Sequence, residues 1–141
     1  MFEMNFQIDS TTHYHSFLRQ LVPAYLCVCL PKENKGCSKV SERIGNRCSH
    51  ALIEAVNNAI FHAHKGKAAK PIKIKIVCNS EKIEMSVKDS GNGFHMKDVP
   101  EPKVYETHGR GLFLIKAIMD KVEYRKGVLK MSYMLEKKDE Q

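Results

Sequence analysis

Three polar residues, Glu54, Asn58 and His62, recur every four positions in a segment with a helical pattern. Residues four apart are offset by only about 40° around a helix, so the three side chains form one polar file. An asparagine oxygen suits Mg²⁺ held jointly with phosphates. A carboxylate one turn away can accept a proton from a hydroxyl or from water. The same spacing also fits a solvated helix face, so this segment alone leaves both interpretations open.

A second candidate is the segment Asp89 to Gly93, which directly follows a predicted strand. The alternation of that strand puts Asp89 on the same face as the apolar side chains. A buried carboxylate is costly without a partner, so Asp89 is a natural acceptor for a ligand donor such as an adenine amino group. Gly91 and Gly93 let the backbone approach that ligand closely. An ordinary strand-end turn is the alternative interpretation.

The third candidate is the segment His108 to Leu112, which reads HGRGL and stands directly before the last predicted helix. Glycines at a helix start leave its first N–H groups free to point at an anion, and the helix dipole favours negative charge there. Arg110 is placed to add a charge-assisted contact. The segment does not match the dinucleotide fingerprint GxGxxG, because no parallel βαβ pattern surrounds it.

The amino-terminal elements are a strand and a helix. The even positions of residues 2–8 are apolar, which is the period of a strand with one buried face. Residues 10–12 (Ser, Thr, Thr) are good N-cap residues for a helix that runs to about Cys29. Pro23 lies inside that helix pattern and predicts either a kink or an early end.

The polar file lies on a longer helix pattern that begins at Ser38 or Ser41 and ends at residues 64–66, where two cations precede a glycine. Apolar residues recur along it at spacings of three and four, as on the buried stripe of an amphipathic helix. The stripe consists of Ile44, Cys48, Ala51, Leu52, Ala55 and Ala59. Glu54 and Asn58 fall beside it, at the margin of what should be buried.

The rest of the chain alternates between strand and helix patterns. Residues 72–76 and 83–87 alternate apolar with polar side chains, and residues 112–122 have a helical period. Residues 94–108 hold two prolines and no clear period, which is typical of a functional or mobile connection. Two short strands joined around residues 126–127 close the chain. The order βααββαββ predicts an α/β two-layer sandwich, with a mixed, mainly antiparallel sheet covered on one face by about three helices.

The composition is that of a single globular domain with a basic charge. The 141 residues are 43% hydrophobic and 28% charged, with a net charge of +7. That charge suits an anionic partner such as a nucleotide, a nucleic acid or an acidic protein. The longest mostly apolar run, residues 21–30, is too short to span a membrane. Because residues 1–10 also lack a signal-peptide pattern, we expect a soluble, intracellular protein.

The cysteines favour reduced thiols. Their number is odd and no CxxC spacing occurs, so neither a disulfide framework nor a complete metal site is indicated. They are Cys27, Cys29, Cys37, Cys48 and Cys78.

In this order and spacing, the three candidates resemble the motifs of the GHKL ATPase superfamily, which includes type II topoisomerases and histidine kinases. EAVNNAIFH (54–62) is similar to the N box of that family, DSGNG (89–93) to its first glycine box and HGRGLFLI (108–115) to its second. Residues 94–108 then correspond to the ATP lid. The chain length, the leading strand and helix, and residues 109–122 resemble one branch, the bacterial anti-sigma factors that are serine-protein kinases.

The resemblance implies one Bergerat-type ATP-binding domain over residues 1–141, with ATP and Mg²⁺ as cofactors. Glu54 would be the general base that takes a proton from a partner's serine or threonine. Asn58 would coordinate Mg²⁺, and Asp89 would accept from the adenine amino group. The other ATP-binding residues that the resemblance implies are Gly91, Gly93, Gly109, Arg110, Gly111 and Leu112.

The resemblance further implies a cytoplasmic homodimer that holds a sigma factor and phosphorylates a STAS-type anti-anti-sigma protein. Phosphorylation would break the second complex and free the kinase to hold sigma again. Direct nucleic-acid binding is not expected, because no aromatic residues are interleaved with the lysines of residues 67–75.

Two departures from the branch keep other functions open. Thr107 and His108 stand where the lid often carries an arginine, with Arg110 as a candidate replacement. Val128 and Leu129 stand where the last strand often carries an adenine-site threonine. The alternatives are an upstream switch kinase that does not bind sigma, and a non-catalytic ATP-binding interaction module.

Overall fold

The computed structural model describes residues 1–30, 39–63, 70–90 and 110–135. Within these ranges the helices and strands follow the predicted order βααββαββ. In chain order they are β1 (Phe2–Asp9), α1 (His15–Cys29), α2 (Lys39–Asn58), β2 (Pro71–Cys78), β3 (Lys82–Lys88), α3 (Arg110–Ile118), β4 (Lys121–Arg125) and β5 (Val128–Met134). None of the helices in these ranges is long and apolar enough to cross a membrane.

The strands of the described ranges form one sheet in the order β1-β2-β3-β5-β4, and each neighbouring pair is antiparallel. The register places Ile74 opposite Val87 and Val87 opposite Leu129, so the apolar residues of successive strands share one face. That face and the apolar stripe of α2 belong to a single buried core. The predicted two-layer sandwich is therefore confirmed.

Helix α1 continues through Pro23 to Cys29, which excludes the alternative that it ends early. A 3₁₀ turn, Thr12–Tyr14, precedes the helix. Thr11 caps this turn, because its Oγ1 accepts a hydrogen bond from the N–H of His13 at 3.2 Å. The predicted N-cap region is therefore correct, although it starts a 3₁₀ turn rather than the α-helix itself.

Helices α1 and α2 cross at Pro23 and Gly45. A Cβ on Gly45 would lie 2.6 Å from the Cα of Pro23. Alanine in a helix interior is normally more stable than glycine by about 1 kcal/mol. Here we expect Gly45→Ala to lower the free energy of unfolding by about 1–3 kcal/mol, because the backbone of α1 must move away. Urea unfolding measures the change, and Asn46→Ala, at the next and exposed position, is the control that should change it little.

Tyr25 fastens α1 to the sheet. Its hydroxyl donates to the carbonyl of Ile76 at 3.0 Å and also contacts the carbonyl of Phe2. Burial, with Cys29 and Cys78 nearby, raises the pKa of Tyr25 above its ordinary value, so the hydroxyl keeps its proton. We expect Tyr25→Phe to destabilise the protein by about 1–3 kcal/mol, because it removes the donor that the hydroxyl supplies to the buried carbonyl of Ile76. Thermal unfolding tests this, and an unchanged midpoint would contradict it.

The expectation that the cysteines are reduced is wrong for Cys27, which is disulfide-bonded. Cys29, Cys48 and Cys78 are free thiols. Burial raises the pKa of Cys78, so that thiol stays protonated. Cysteine count and spacing do not report which thiols come together in space, and so the pattern could not predict this bond.

Candidate functional site

The last turns of α2 carry Glu54 and Asn58 at the edge of the buried stripe. The Glu54 side chain is 22% exposed, whereas Asn58 is 6% exposed. The Nδ2 atom of Asn58 is buried without a hydrogen-bond partner. A buried polar atom in this state costs about 1–3 kcal/mol, so the amide is suited to a ligand that reaches it. The neighbouring Asn57 is held by the protein itself, since its Oδ1 lies 2.7 Å from Nε2 of His15 on α1.

The first turn of α3 lies directly on this polar pair. A Cβ added to Gly111 would be 2.7 Å from Oε2 of Glu54 and 3.5 Å from Oδ1 of Asn58. No larger residue fits there unless the Glu54 carboxylate moves. The structure thus brings Glu54, Asn58 and Gly111 together, although Glu54 and Gly111 are 57 positions apart in the sequence.

The start of α3 presents its backbone to the same region. The first N–H groups of a helix have no partner within the helix, and together with the helix dipole they favour an anion. Leu112 is only 4% exposed and its side chain belongs to the core, so its backbone N–H is what it can offer to a ligand. Arg110 begins α3, but its side chain lies outside the part of the chain that the structure describes.

Directly after Asn58 the helix changes from α to π over Ala59–Ala63. The sequence predicts an unbroken α-helix here, and this prediction is wrong for residues 59–63. A π turn holds one more residue than an α turn, which removes His62 from the regular spacing with Glu54. Such turns are frequent at functional sites. The side chain of His62 and the predicted helix end at 64–66 lie outside the described residues.

Asp89 follows β3 and is 6% exposed, as the strand alternation predicts. Its Oδ2 accepts a hydrogen bond from the Tyr124 hydroxyl at 2.8 Å, and its N–H donates to the carbonyl of Gly127 at 2.9 Å. A carboxylate offers about four acceptor positions, so Asp89 can bind Tyr124 and still accept from a ligand. Residues of the β4–β5 hairpin therefore hold Asp89 and its carboxylate in place.

Tyr124 and Gly127 were not among the residues predicted for the site. Gly127 has a φ of 81°, and a Cβ there would lie 3.3 Å from Oδ1 of Asp89. Lys126 before it has a φ of 50°, so the hairpin turn has the left-handed backbone that favours glycine. The alternation of β4, in which Tyr124 pairs with the buried Leu129, is the sequence signal that could have found Tyr124.

A hollow of about 330 Å³ opens beside Glu54, between α1 and α2. Arg19 lines it from α1, and His50 lines it from α2 together with Glu54. The Nε2 of His50 lies 3.6 Å from Oε1 of Glu54, whereas Oε2 is the atom beside Gly111. One carboxylate oxygen therefore faces the start of α3 and the other is next to His50.

Several predicted site residues fall outside the described residues. They are Gly91, Gly93, Gly109 and the lid segment 94–108, including Thr107 and His108. Their roles remain predictions.

The described residues fit a Mg²⁺–nucleotide complex. Asn58 supplies a buried amide whose Oδ1 already lies beside Gly111, 3.5 Å from where a Cβ would stand, and an amide oxygen is a ligand that suits Mg²⁺. Gly111 leaves space above Glu54 and Asn58 that a Cβ would fill. The first N–H groups of α3 suit phosphate oxygens. The donor set therefore matches the chemistry of phosphates bridged by a hard cation.

Comparison with known proteins agrees with this chemistry. The model of the histidine kinase-like ATPase domain matches residues 31–133, a range that contains Glu54, Asn58, Asp89 and Gly111. Proteins called anti-sigma F factor from Bacillus thuringiensis (strain Al Hakam), Bacillus mycoides (strain KBAB4) and Bacillus anthracis (strain A0248) are each 26% identical to the chain over 127 residues. Each alignment covers 86% of this chain and 81% of the relative.

Proposed function

The chain belongs to the histidine kinase-like ATPase family, and from this membership we propose that it is an ATP-dependent serine/threonine-protein kinase that acts as an anti-sigma factor. Its substrate would be a serine or threonine of a STAS-type anti-anti-sigma protein. The single observation that carries the proposal is the contact of Gly111 with Glu54 and Asn58, because it puts a carboxylate beside a helix start suited to phosphate.

Each residue has a separate task in this proposal. When bound, Mg²⁺–ATP supplies the phosphoryl group. Asn58 holds the cation through its amide oxygen, and the N–H groups at the start of α3 bind phosphate oxygens. Glu54 accepts the proton of the partner's hydroxyl as its oxygen becomes a nucleophile. Asp89, fixed by Tyr124, accepts from the adenine amino group and so selects the base.

The regulatory part of the proposal is partner switching. The relatives that are called anti-sigma F factor support it, although they share 26% of aligned residues with this chain. In this scheme the protein holds a sigma factor, and it releases the STAS partner once that partner is phosphorylated. We propose that it does so in the cytoplasm as a homodimer. Light scattering at micromolar protein tests the dimer, and a mass near 16.1 kDa would refute it.

The direct test of the kinase is transfer of label from ATP to a STAS partner in the presence of Mg²⁺. We expect the label on a serine or threonine of the partner, and none when Mg²⁺ is removed by chelation. An unlabelled partner, with the kinase folded and nucleotide bound, would refute the kinase. Pull-down of a sigma factor then separates an anti-sigma kinase from an upstream switch kinase that never holds sigma.

A non-catalytic ATP-binding module is the second candidate, and one observation favours it. Leu129 points into the core at 2% exposure, whereas Val128 faces the other side of the sheet. The inward position is therefore Leu129, which has no hydroxyl, whereas the last strand of anti-sigma serine-protein kinases often carries a threonine. Nucleotide binding without label transfer would support this module over the kinase.

A further inference from the structure

The outer face of the sheet is the face turned away from the core, and its residues alternate with the apolar ones along each strand. One cross-strand row on this face consists of Gln7, Lys73, Lys88, Val128 and Arg125, each paired with the next. We call it the basic row. It holds three cations and no carboxylate, and the proposed kinase chemistry uses none of its residues.

The centre of the basic row is a pair of like charges on neighbouring strands, an arrangement that does not favour a stable sheet. Lys73 and Lys88 are directly opposite each other in the register of β2 and β3. Like charges in that relation destabilise a sheet. Both lysines are exposed, and no carboxylate of the described residues lies within 4.0 Å of either. A local conflict that the fold does not compensate points to a function at that position.

The basic row borders a hollow of about 500 Å³ on the outer face. Lys73, Lys75 and Lys88 line it together with the amides of Asn5 and Gln7. Among the described residues that line it, none is acidic. Ammonium groups only donate hydrogen bonds, whereas side-chain amides both donate and accept. The hollow can therefore neutralise carboxylates and also bond to a peptide backbone.

The ion pairs near the hollow leave its charge largely uncompensated. Lys75 pairs with Glu3 at 4.0 Å, and Lys130 pairs with Glu84 at 3.5 Å, while Glu84 is shared with Lys82. Exposed pairs of this kind are weak, so an incoming carboxylate can replace Glu3 at Lys75. A partner that is complementary to this surface therefore carries negative charge.

The spacing of the lysines favours an extended peptide. Lys73 and Lys75 are two residues apart on one strand, so they repeat at about 6.6 Å. Alternate side chains of an extended segment repeat at the same distance. Single-stranded nucleic acid suits the surface less, because its bases stack on aromatic side chains. The aromatic residue that borders the hollow, Phe6, belongs to the inward face and packs edge-on against Phe17.

We propose that this hollow docks an extended segment of a partner protein with acidic residues at alternate positions. The docking site is separate from the hollow beside Glu54. It lies behind the strand ends that hold Asp89, because Lys88 directly precedes Asp89 and Val128 directly follows Gly127. Binding there needs no nucleotide, so its test stands apart from that of the kinase.

The test measures the fluorescence anisotropy of a labelled peptide of about ten residues, with alternating Glu and Ser, at about 0.15 M salt without nucleotide. We expect Lys73→Glu/Lys88→Glu to weaken binding at least about tenfold, because it reverses the centre of the basic row. The control Arg43→Glu/Lys116→Glu makes the same change of net charge at exposed helix residues and should stay within about twofold. Lys73→Gln/Lys88→Gln removes the repulsion, so it should fold and still bind more weakly than the wild type.

Three results would overturn the proposal. The first is a wild-type protein that does not bind the peptide. The second is an equal loss in the two charge-reversed proteins, which would reduce the effect to net charge. The third is an oligothymidylate that binds more tightly and depends on the same lysines, which would make the partner a nucleic acid. Backbone amide shifts on peptide addition that centre on β2 and β3 and extend to the lining residues of β1 and β5 would support the site directly.

Discussion

Glu54→Gln is expected to slow phosphoryl transfer to a STAS partner at least about a hundredfold, because a general base contributes roughly 10²–10⁴ to a rate. Glutamine keeps the shape of the side chain beside Gly111 but cannot accept the proton. ATP affinity should change little, since the proposal gives Glu54 no part in nucleotide binding. The measurement is single-turnover label transfer at saturating ATP.

Glu42→Gln is the matched control for this experiment, because it makes the same change on an exposed residue in the first turn of α2. It should transfer label at the wild-type rate. A thermal midpoint within a few degrees of the wild type would show that Glu54→Gln is folded. Unchanged transfer by Glu54→Gln would mean that another group is the base, and the assignment of Glu54 would be wrong.

Asp89→Asn is expected to weaken ATP binding about tenfold or more. The buried carboxylate accepts from the adenine amino group in our proposal, and a lost hydrogen bond to a charged group costs about 1.5–3 kcal/mol. The asparagine amide instead offers a donor, which suits the carbonyl of guanine. The preference for ATP over GTP should therefore fall or reverse. Calorimetric titration with each nucleotide measures both effects.

Two further variants separate the role of Asp89 from general changes of charge or stability. Asp9→Asn alters an exposed carboxylate at the end of β1 and should leave both affinities unchanged. Tyr124→Phe removes the hydroxyl that holds Oδ2 but keeps the carboxylate, so its loss of affinity should be smaller than that of Asp89→Asn. If Asp89→Asn bound ATP as the wild type does, the adenine contact would lie elsewhere.

Hydrophobic periodicity was enough to predict the order of elements and the buried stripe of α2. Each residue of that stripe, from Ile44 to Ala59, is buried. The strand alternation likewise placed Asp89 on the inward face. These predictions succeed because a period of two or of 3.6 decides which side chains share a face. The pattern predicted a mixed, mainly antiparallel sheet, whereas all the described strands pair in the antiparallel direction. The direction of pairing depends on how the strands are ordered in space, which periodicity does not report.

Features that depend on contacts between distant segments could not be predicted in the same way. The π turn after Asn58 and the disulfide of Cys27 leave no periodic signal. Tyr124 reaches Asp89 across 35 residues of sequence, and only the strand register brings them together. The contact between Gly111 and Glu54 likewise depends on tertiary packing. The motif order suggested it, but the packing of α3 on α2 creates it.

The most direct test of the central claim, a Mg²⁺–ATP site that includes Asn58, is thermal unfolding with and without Mg²⁺–ATP in the wild type and in Asn58→Ala. Because Nδ2 of Asn58 has no partner in the protein, its removal should cost the apo protein little stability. At about a hundred times Kd, a ligand stabilises the wild type by about 2.7 kcal/mol, a shift of several degrees. We predict this shift in the wild type and a much smaller one in Asn58→Ala. No shift in the wild type, or an equal shift in both proteins, would contradict the account.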